Sequence, residues 1–421
     1  MSVWASKDRT PIPMTRTAVF VSYNGILDPL GQSQILPYLE RLRAAWSIHI
    51  LSFERKERAS ETAVSALRER LRKQEIRWTA LRYHKRPGVV AKAYDVISGV
   101  AALRRILKSE DVSLIHARGY LPAEIAFRAT TRHPVLFDIR GLQGEEYVDG
   151  GIWKSTSVRY KLLKRSEESF FERAAGAVVL TEAIREYVST RFAAHSRQPP
   201  ISVIPCCVEM ERFQFDPRAR LRRRQEIDAR DETCVLAYSG SLGTWYLARE
   251  MAQFAHAFRK TTGRPVKLLW LLNNGIDIAK AASRAAGLAE SDYSLVSANS
   301  DEVPEFLSCA DAALALVRPC FSKKASSPTK YAESLAIGLP LVLCNDVGDS
   351  RLIEAAGGAV ALEYPMSETS LTRAARQLES LLQQPRDAFR LIGERLFAID
   401  AVAIPRYLRL YDELSTPEAR K

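Results

Sequence analysis

An α/β chain of two doubly wound parallel sheets in tandem is what this sequence predicts, and three observations carry that reading. Short runs rich in β-branched and aromatic residues alternate with helix-length segments. The alternation stops over a charged stretch near the middle of the chain and then resumes. The 421 residues, 47% apolar and 26% charged with 20 Gly and 20 Pro, have the make-up of ordinary globular domains, and at roughly 100 to 200 residues per domain they fill two or three. The same composition excludes disordered, collagen-like and disulfide-scaffold chains.

The first series of expected strands is TAVFVSYN (17–24), SIHILSF (47–53), IRWTALRY (76–83), VSLIHARG (112–119), PVLFDIRG (134–141), AGAVVLTE (175–182) and ISVIPC (201–206). The second is CVLAYSG (234–240), VKLLWLLNN (266–274), YSLVSA (293–298), AALALV (312–317), PLVLCND (340–346) and AVAL (359–362). Between them lies RFQFDPRARLRRRQEIDARDE, without strand signal. The boundary is placed near residue 208, giving domains 16–208 and 209–400, with 401–421 a C-terminal helix and tail packing back toward the first domain. Open α/β sheets bind ligands at the carboxyl ends of their strands, so the active site is expected in a cleft between the two domains.

Glycine loops test for nucleotide chemistry. No G-x-G-x-x-G follows a first strand and no G-x-x-x-x-G-K-[ST] occurs, which removes the main support for a nicotinamide dehydrogenase or a P-loop NTPase. After the first strand, Gly31, Gln32, Ser33 and Gln34 open a helix with apolar Ile35, Leu36, Leu39 and Leu42, and Pro37 is early enough to be tolerated. Its free amides suit an oxyanion, though such a glycine also serves as a plain turn.

The segment SSPTKYAESLAIGLP (326–340) is the most specific local signal. Ser327 reads as a helix cap, Pro328 as the first helical residue, and Gly338 and Pro340 as the stop. Lys330 at the third helical position breaks the rule that this end of a helix favours anions, unless an anionic ligand lies opposite. Glu333, three residues on, suits sugar hydroxyls beside a phosphate, or pairs with Lys330 on the surface.

The six cysteines show neither zinc-ligand spacing nor a redox pair and fit a reduced cytoplasm. No apolar run reaches membrane-spanning length, and the first sixteen residues mix charge with proline, so a soluble intracellular protein is expected. Residues 1–200 hold 33 Lys+Arg against 21 Asp+Glu, and residues 201–421 hold 28 against 28, so the whole excess of +12 lies in the first half. That asymmetry fits an anionic membrane surface or nucleic acid, or is merely an arginine-rich surface. Aromatic residues do not interleave with Lys and Arg in a nucleic-acid motif, so no nucleic-acid partner is expected. VVAKAYDVISGVAALRRILK (89–108) is compatible with a core helix or one lying on a surface.

SGSLGTWY, the NN pair, the AD-x-AL-x-L strand and SSPTKYAESLAIGLP together resemble the donor-binding domain of the retaining GT-B glycosyltransferases of family 4. LDPLGQSQILPYLERL, LIHARGYLPAEIAFR, FDIRGLQGEEYVDGGIW, AGAVVLTEAIREYV and VIPCCVEMERF resemble the first domain and interdomain joint of that family's bacterial polysaccharide-assembly members. The resemblance, over roughly residues 17 to 400, implies a GT-B fold of two Rossmann-like domains, the first for the acceptor and the second for a nucleotide diphosphate sugar. It implies transfer to a saccharide, in particular a lipid-linked one, with retention of configuration, in cell-surface polysaccharide or lipopolysaccharide synthesis. No metal and no cofactor beyond the donor substrate are implied.

By the same resemblance Glu333 holds the ribose, while Lys330 and Arg318 neutralise the diphosphate, with Lys323 and Lys324 further candidates. Ser327, Pro328, Thr329, Gly240, Ser241 and Asn274 line the donor, with Ser326 beside them. His116 and Arg118, catalytic candidates at the fourth strand's end, share the acceptor side or cleft with Gly31, Gln32, Asp138, Arg140, Glu145 and Glu146. Two departures stand out: Ala325 occupies the place of the family's first acid, and GSLGTWY replaces its Arg- and Lys-bearing GRxxxxKG loop. A nucleotide-sugar epimerase of the same architecture and a non-catalytic nucleotide-binding homologue remain alternatives. The expected location is the cytoplasm, with peripheral contact between the basic first domain and an anionic inner membrane face.

Overall fold

The computed structural model describes residues 16–86 and 88–416, the side chain of Val89 excepted. Its first sheet holds β1 (Thr17–Ser22), β2 (Ser47–Glu54), β3 (Arg77–Arg82), β4 (Val112–Arg118), β5 (Val135–Asp138), β6 (Gly176–Val179) and β7 (Ile201–Val203), in the order β3-β2-β1-β4-β5-β6-β7. The second holds β8 (Cys234–Gly240), β9 (Val266–Leu272), β10 (Tyr293–Val296), β11 (Ala312–Ala315), β12 (Leu341–Cys344) and β13 (Ala359–Leu362), in the order β10-β9-β8-β11-β12-β13. Neighbours such as β1 with β2 and β4, and β8 with β9 and β11, run parallel. Strand order reverses between β1 and β4 and between β8 and β11, the switch points where open sheets leave a crevice for ligands.

Every expected strand is present, most of them trimmed at the carboxyl end. β1 stops at Ser22 because its hydroxyl bonds the backbone of Asn24 and turns the chain. All six residues of β1 and all seven of β9 are buried, the continuous apolar habit of parallel strands covered on both faces.

The helices are α1 (Pro29–Gln34), α2 (Leu36–Leu42), α3 (Glu61–Lys73), α4 (Gly88–Ser109), α5 (Tyr120–Ala129), α6 (Gln143–Asp149), α7 (Val158–Arg173), α8 (Glu182–Ala193), α9 (Pro217–Glu226), α10 (Ala248–Thr262), α11 (Ile276–Ala285), α12 (Val303–Cys309), α13 (Thr329–Ala336), α14 (Ser350–Ala355), α15 (Glu368–Leu381), α16 (Arg386–Phe397) and α17 (Ile404–Leu414). One expectation is corrected here. The helix read as opening at Gly31 begins at Pro29 and breaks at Ile35, because Pro37 has no amide to donate and its ring opposes the carbonyl one turn back. Gly31 sits inside α1, where a Cβ would meet the Gly25 carbonyl at 2.2 Å, so it serves close packing.

Contacts gather the chain into two compact units. Of the described residues, the first comprises those of 16–138, 172–177 and 407–416; the second comprises 139–171 and 178–406. Within the first, Tyr407 and Tyr411 of the C-terminal helix pack edge-on against Tyr38 and Trp46. Within the second, Trp270, Tyr238, Phe254 and Phe258 fill one face of the sheet, and Tyr331, Leu335, Phe389 and Phe397 fill the other.

Candidate functional site

The loops at the β8–β11 switch point and the start of α13 build one constellation inside the second unit. α13 begins one residue later than the sequence suggests. Pro328 takes the cap position with extended backbone, and Ser327, expected to cap the helix, instead accepts a hydrogen bond from the Cys206 amide at 3.1 Å. Lys330 therefore stands at the second helical position.

Lys330 is 8% exposed. Its ammonium lies 3.5 Å from the centroid of the Tyr246 ring and 4.5 Å from that of Tyr238, and it donates to the Tyr238 hydroxyl at 3.3 Å. Among the described residues no carboxylate forms a salt bridge with it, and burial pushes it down to about 7 despite the nearby charge of Glu333. A buried cation held only by ring faces and a hydroxyl is costly until an anion arrives. Gly240 makes the approach possible. Its φ of +127° is open to glycine, and a Cβ there would lie 3.3 Å from the Lys330 Nζ.

Glu333 is partly exposed, and burial raises its pKa while Lys330, Arg212 and a hydrogen bond from Thr329 oppose the rise. Residues 245–247 pair with 316–318, the Arg318 amide donating to the Trp245 carbonyl at 2.8 Å. Trp245 lies between two cations, Arg318 at 5.3 Å and Lys323 at 4.2 Å. Arg318 donates to the Asp149 carbonyl at 2.8 Å, but its buried Nε has no hydrogen-bond partner among the described residues. Lys323, a candidate for phosphate, is committed to Glu146 at 2.7 Å, whereas Lys324 is exposed.

The remaining donor candidates fall on the same edge. Ser241 is exposed and its carbonyl accepts from the Tyr238 hydroxyl at 2.8 Å. Asn274 is exposed in the loop after β9, and next to it Gly275, at φ +80°, packs where a Cβ would meet the Leu242 side chain at 2.7 Å. Ala325 is buried, so an acid in its place would have no solvent. Behind α13 a pocket of about 90 Å³ is bounded by Ser326, Ser327, Tyr331, Thr181, Asp349 and Arg406, and among the described residues the buried Tyr331 hydroxyl has no hydrogen-bond partner. Among the described residues no three His, Cys, Asp or Glu side chains gather to hold a metal ion.

The acceptor-side candidates are placed differently. In the first unit His116, 1% exposed, is enclosed by Phe20, Tyr407 and Tyr411. Its Nε2 donates to the Asp138 carboxylate at 3.2 Å and its Nδ1 accepts from the Tyr411 hydroxyl at 2.7 Å. Arg118 also reaches Asp138, at 3.5 Å. His116, expected on the acceptor side or cleft, is covered by α17, and both its ring nitrogens are hydrogen-bonded. Gln32 is turned onto the Ile26 carbonyl at 2.7 Å, in the loop before α1. In the second unit Arg140 contacts the Cys206 sulfur at 3.3 Å. Glu145 is held by Lys164 at 2.9 Å and by Tyr160 at 3.2 Å, and Lys164 also bonds Glu167.

Sequence reasoning missed Tyr238, Tyr246 and Trp245, the rings that receive the cations. Their signal was in GSLGTWY, a segment noticeable for the basic residues it lacks; the same lack leaves aromatic faces to hold Lys330 and Arg318.

Comparison with known proteins bears on the fold. Residues 32–207 match the family model described as glycosyl transferase 4-like domain. A search of curated proteins finds no match. Among solved structures, a glycosyltransferase from Rickettsia africae superposes with a TM-score of 0.68 at 13% identity, covering 96% of this chain and 99% of that one. HepE of Anabaena, in complex with UDP and glucose, gives 0.65 at 13% identity over 95% and 100%. WaaG, a glycosyltransferase involved in lipopolysaccharide biosynthesis, gives 0.61 at 15% over 94% and 99%. Residues 32–207 are thus similar to a glycosyl transferase 4-like domain, and the chain's two Rossmann-like sheets have the GT-B fold.

Proposed function

We propose that the protein transfers a sugar from a nucleoside diphosphate sugar to a saccharide acceptor carried on a lipid, with retention of anomeric configuration, at the cytoplasmic face of a membrane. The observation that carries the donor half is Lys330, a buried ammonium with aromatic walls and, among the described residues, no salt bridge to a carboxylate, at the amino end of a helix beside the switch point of the second sheet. Arg318, with a buried unpartnered Nε, supplies the second cation. The two meet the charge that grows on the leaving diphosphate, and Glu333 accepts from the ribose hydroxyls.

In this reading the bond from the sugar's C1 to the β-phosphate oxygen breaks as the acceptor oxygen bonds C1 from the same face. The acceptor's hydroxyl proton passes to the departing phosphate oxygen. The chain contributes position and charge, and no side chain is needed as base. HepE binds UDP, and UDP sugars therefore head the donor panel. Lipid-linked acceptors fit the polysaccharide setting of WaaG and the basic first half of the chain.

Saturation-transfer NMR against nucleotides and nucleotide sugars tests the reading, with the wild type beside Lys330→Ala and Glu333→Ala. Selective binding of one nucleotide sugar, weakened by both substitutions, is the expected result. Product analysis then separates transfer from its rivals: an altered nucleotide sugar formed without acceptor means epimerisation, and binding without turnover means a non-catalytic homologue.

A further inference from the structure

The place of Arg318 is set by the carboxyl end of α6. A helix leaves its last carbonyls without partners of its own, and here the chain that follows takes two of them: Ile152 and Trp153 donate to Tyr147, and Gly151 donates to Val148. The next carbonyl, that of Asp149, accepts from the Arg318 guanidinium at 2.8 Å. A cation is favoured at this negative end of a helix. Gly150, one residue on, lies against the indole that faces Arg318, and a Cβ there would come 3.3 Å from the Trp245 Cζ2.

The Asp149 carboxylate holds a different atom. Its Oδ2 accepts from the Ser322 amide at 2.8 Å, in the turn Phe321–Ala325 between Arg318 and α13. Burial would raise the pKa of Asp149, but hydrogen bonds from Ser322 and Cys320 and the charge of Arg318 hold it below the ordinary aspartate value. The far half of the turn has anchors of its own, the Gly348 amide on the Lys323 carbonyl at 2.8 Å and the Thr181 hydroxyl on the Lys324 carbonyl at 2.6 Å. Asp149 ties the near half to α6.

An acid beside a diphosphate site is unfavourable by charge alone, so its presence there needs another reason. An unheld arginine samples many rotamers, and fixing one before the ligand arrives removes that cost from binding. We propose that Asp149 is a positioning residue of the donor site, its carbonyl holding the Arg318 guanidinium and its carboxylate fixing the turn that follows, so that the cation is aimed at the diphosphate in advance. The inference rests on the reading of Arg318 as the second diphosphate cation and names what keeps it in place.

The test is titration calorimetry of the full-length protein with UDP, GDP and dTDP, each beside its monophosphate. For the diphosphate that binds the wild type most tightly, Asp149→Ala should lower affinity about tenfold, and for the monophosphate by less than about twofold. Charge alone predicts the opposite sign, since removing an acid beside an anion site raises affinity. Asp149→Asn keeps an oxygen for the Ser322 amide and loses the charge, so its diphosphate affinity should equal or exceed that of the wild type. Asp149→Glu keeps the charge but carries the carboxylate one methylene away from that amide, so the loss should return. Arg318→Ala should also lower diphosphate affinity about tenfold, and adding Asp149→Ala to it should lower affinity no further. If Asp149→Ala melts too low to titrate, the Asn and Glu variants decide the matter by themselves.

Affinity that rises in Asp149→Ala or is unchanged in Asp149→Glu, equal losses for diphosphate and monophosphate, or losses from Asp149→Ala and Arg318→Ala that add would each overturn the proposal. Lys330→Ala in the same titrations keeps the two readings apart. A diphosphate lost with Lys330 but indifferent to Asp149 and Arg318 overturns the positioning role alone; a wild type that binds no nucleotide overturns the donor reading and this inference with it.

Discussion

Both switch points end in buried ionisable groups, yet the two regions treat charge in opposite ways. At the ends of β4 and β5, His116 and Arg118 both reach the Asp138 carboxylate beneath the tyrosines of α17. At the start of α13, Lys330 is also buried, and among the described residues no carboxylate forms a salt bridge with it; its ammonium lies against Tyr238 and Tyr246. A buried charge with its partner in place is what stability requires, whereas one whose partner must come from outside marks a place for a ligand. Charge balance, more than position at a strand end, separates the two.

The largest effect expected from breaking the first region is on stability. Asp138→Ala leaves His116 and Arg118 buried without their shared carboxylate and should cost about 3 to 5 kcal/mol in urea unfolding, with donor binding by the folded fraction unchanged. A variant that keeps its unfolding midpoint but loses transfer would move these residues to the reacting centre. Lys330→Ala does the reverse. Donor binding and turnover should fall about 10²- to 10³-fold, with stability at neutral pH unchanged or raised, because a buried charge without a carboxylate has been removed. Loss of both stability and binding would make Lys330 structural too.

The pH dependence follows from the position of Lys330 near 7, below its unfolded value of 10.5. Between these values the unfolded chain binds more protons than the native one, so this residue lets stability rise with pH across that window, and the penalty is full below about 7. Donor binding runs oppositely. A diphosphate favours the ammonium, so affinity should decline above about pH 7, approaching tenfold per unit, with proton uptake detectable by calorimetry in buffers of different ionisation enthalpy. Lys330→Arg should flatten that decline, since guanidinium stays charged. A decline unchanged in that variant would assign it to another group.

Most of the fold was legible because β-branched runs and helix-length spacing repeat at parallel-sheet rhythm, and the boundary of the two strand series fell in α9 and its flanks, where the charge is dense. The site was half legible. Lys330 was visible because it contradicts the local rule at a helix start, a conflict that one segment contains by itself. His116 was misplaced because Tyr407 and Tyr411, which enclose it, lie almost three hundred residues away and give no local sign of it. Lys323 and Glu145 were assigned to ligands because nothing in their segments reveals that Glu146 and Lys164 already hold them. Long-range pairing decides whether a charge is available, and a linear motif does not record it.

The smallest predicted effects make the sharpest comparison, since they remove the same atom from each region. Tyr411→Phe deletes the hydroxyl that donates to His116 Nδ1. Asp138 still requires the proton on Nε2, so the ring cannot change tautomer to compensate, and a buried acceptor is left unmade at a cost of about 1 to 2 kcal/mol in stability with no change in donor affinity. Tyr238→Phe deletes a hydroxyl that accepts from Lys330 and donates to the carbonyl of exposed Ser241. Water can reach that carbonyl, so stability should move less, by about 0.5 kcal/mol. Lys330, however, loses the hydroxyl it donates to and keeps the ring faces around it, so nucleotide affinity should fall severalfold in titrations monitored by NMR. If the two substitutions affected stability and affinity in the same proportion, charge balance would not distinguish the regions, and the case for an anion at Lys330 would rest on Arg318 alone.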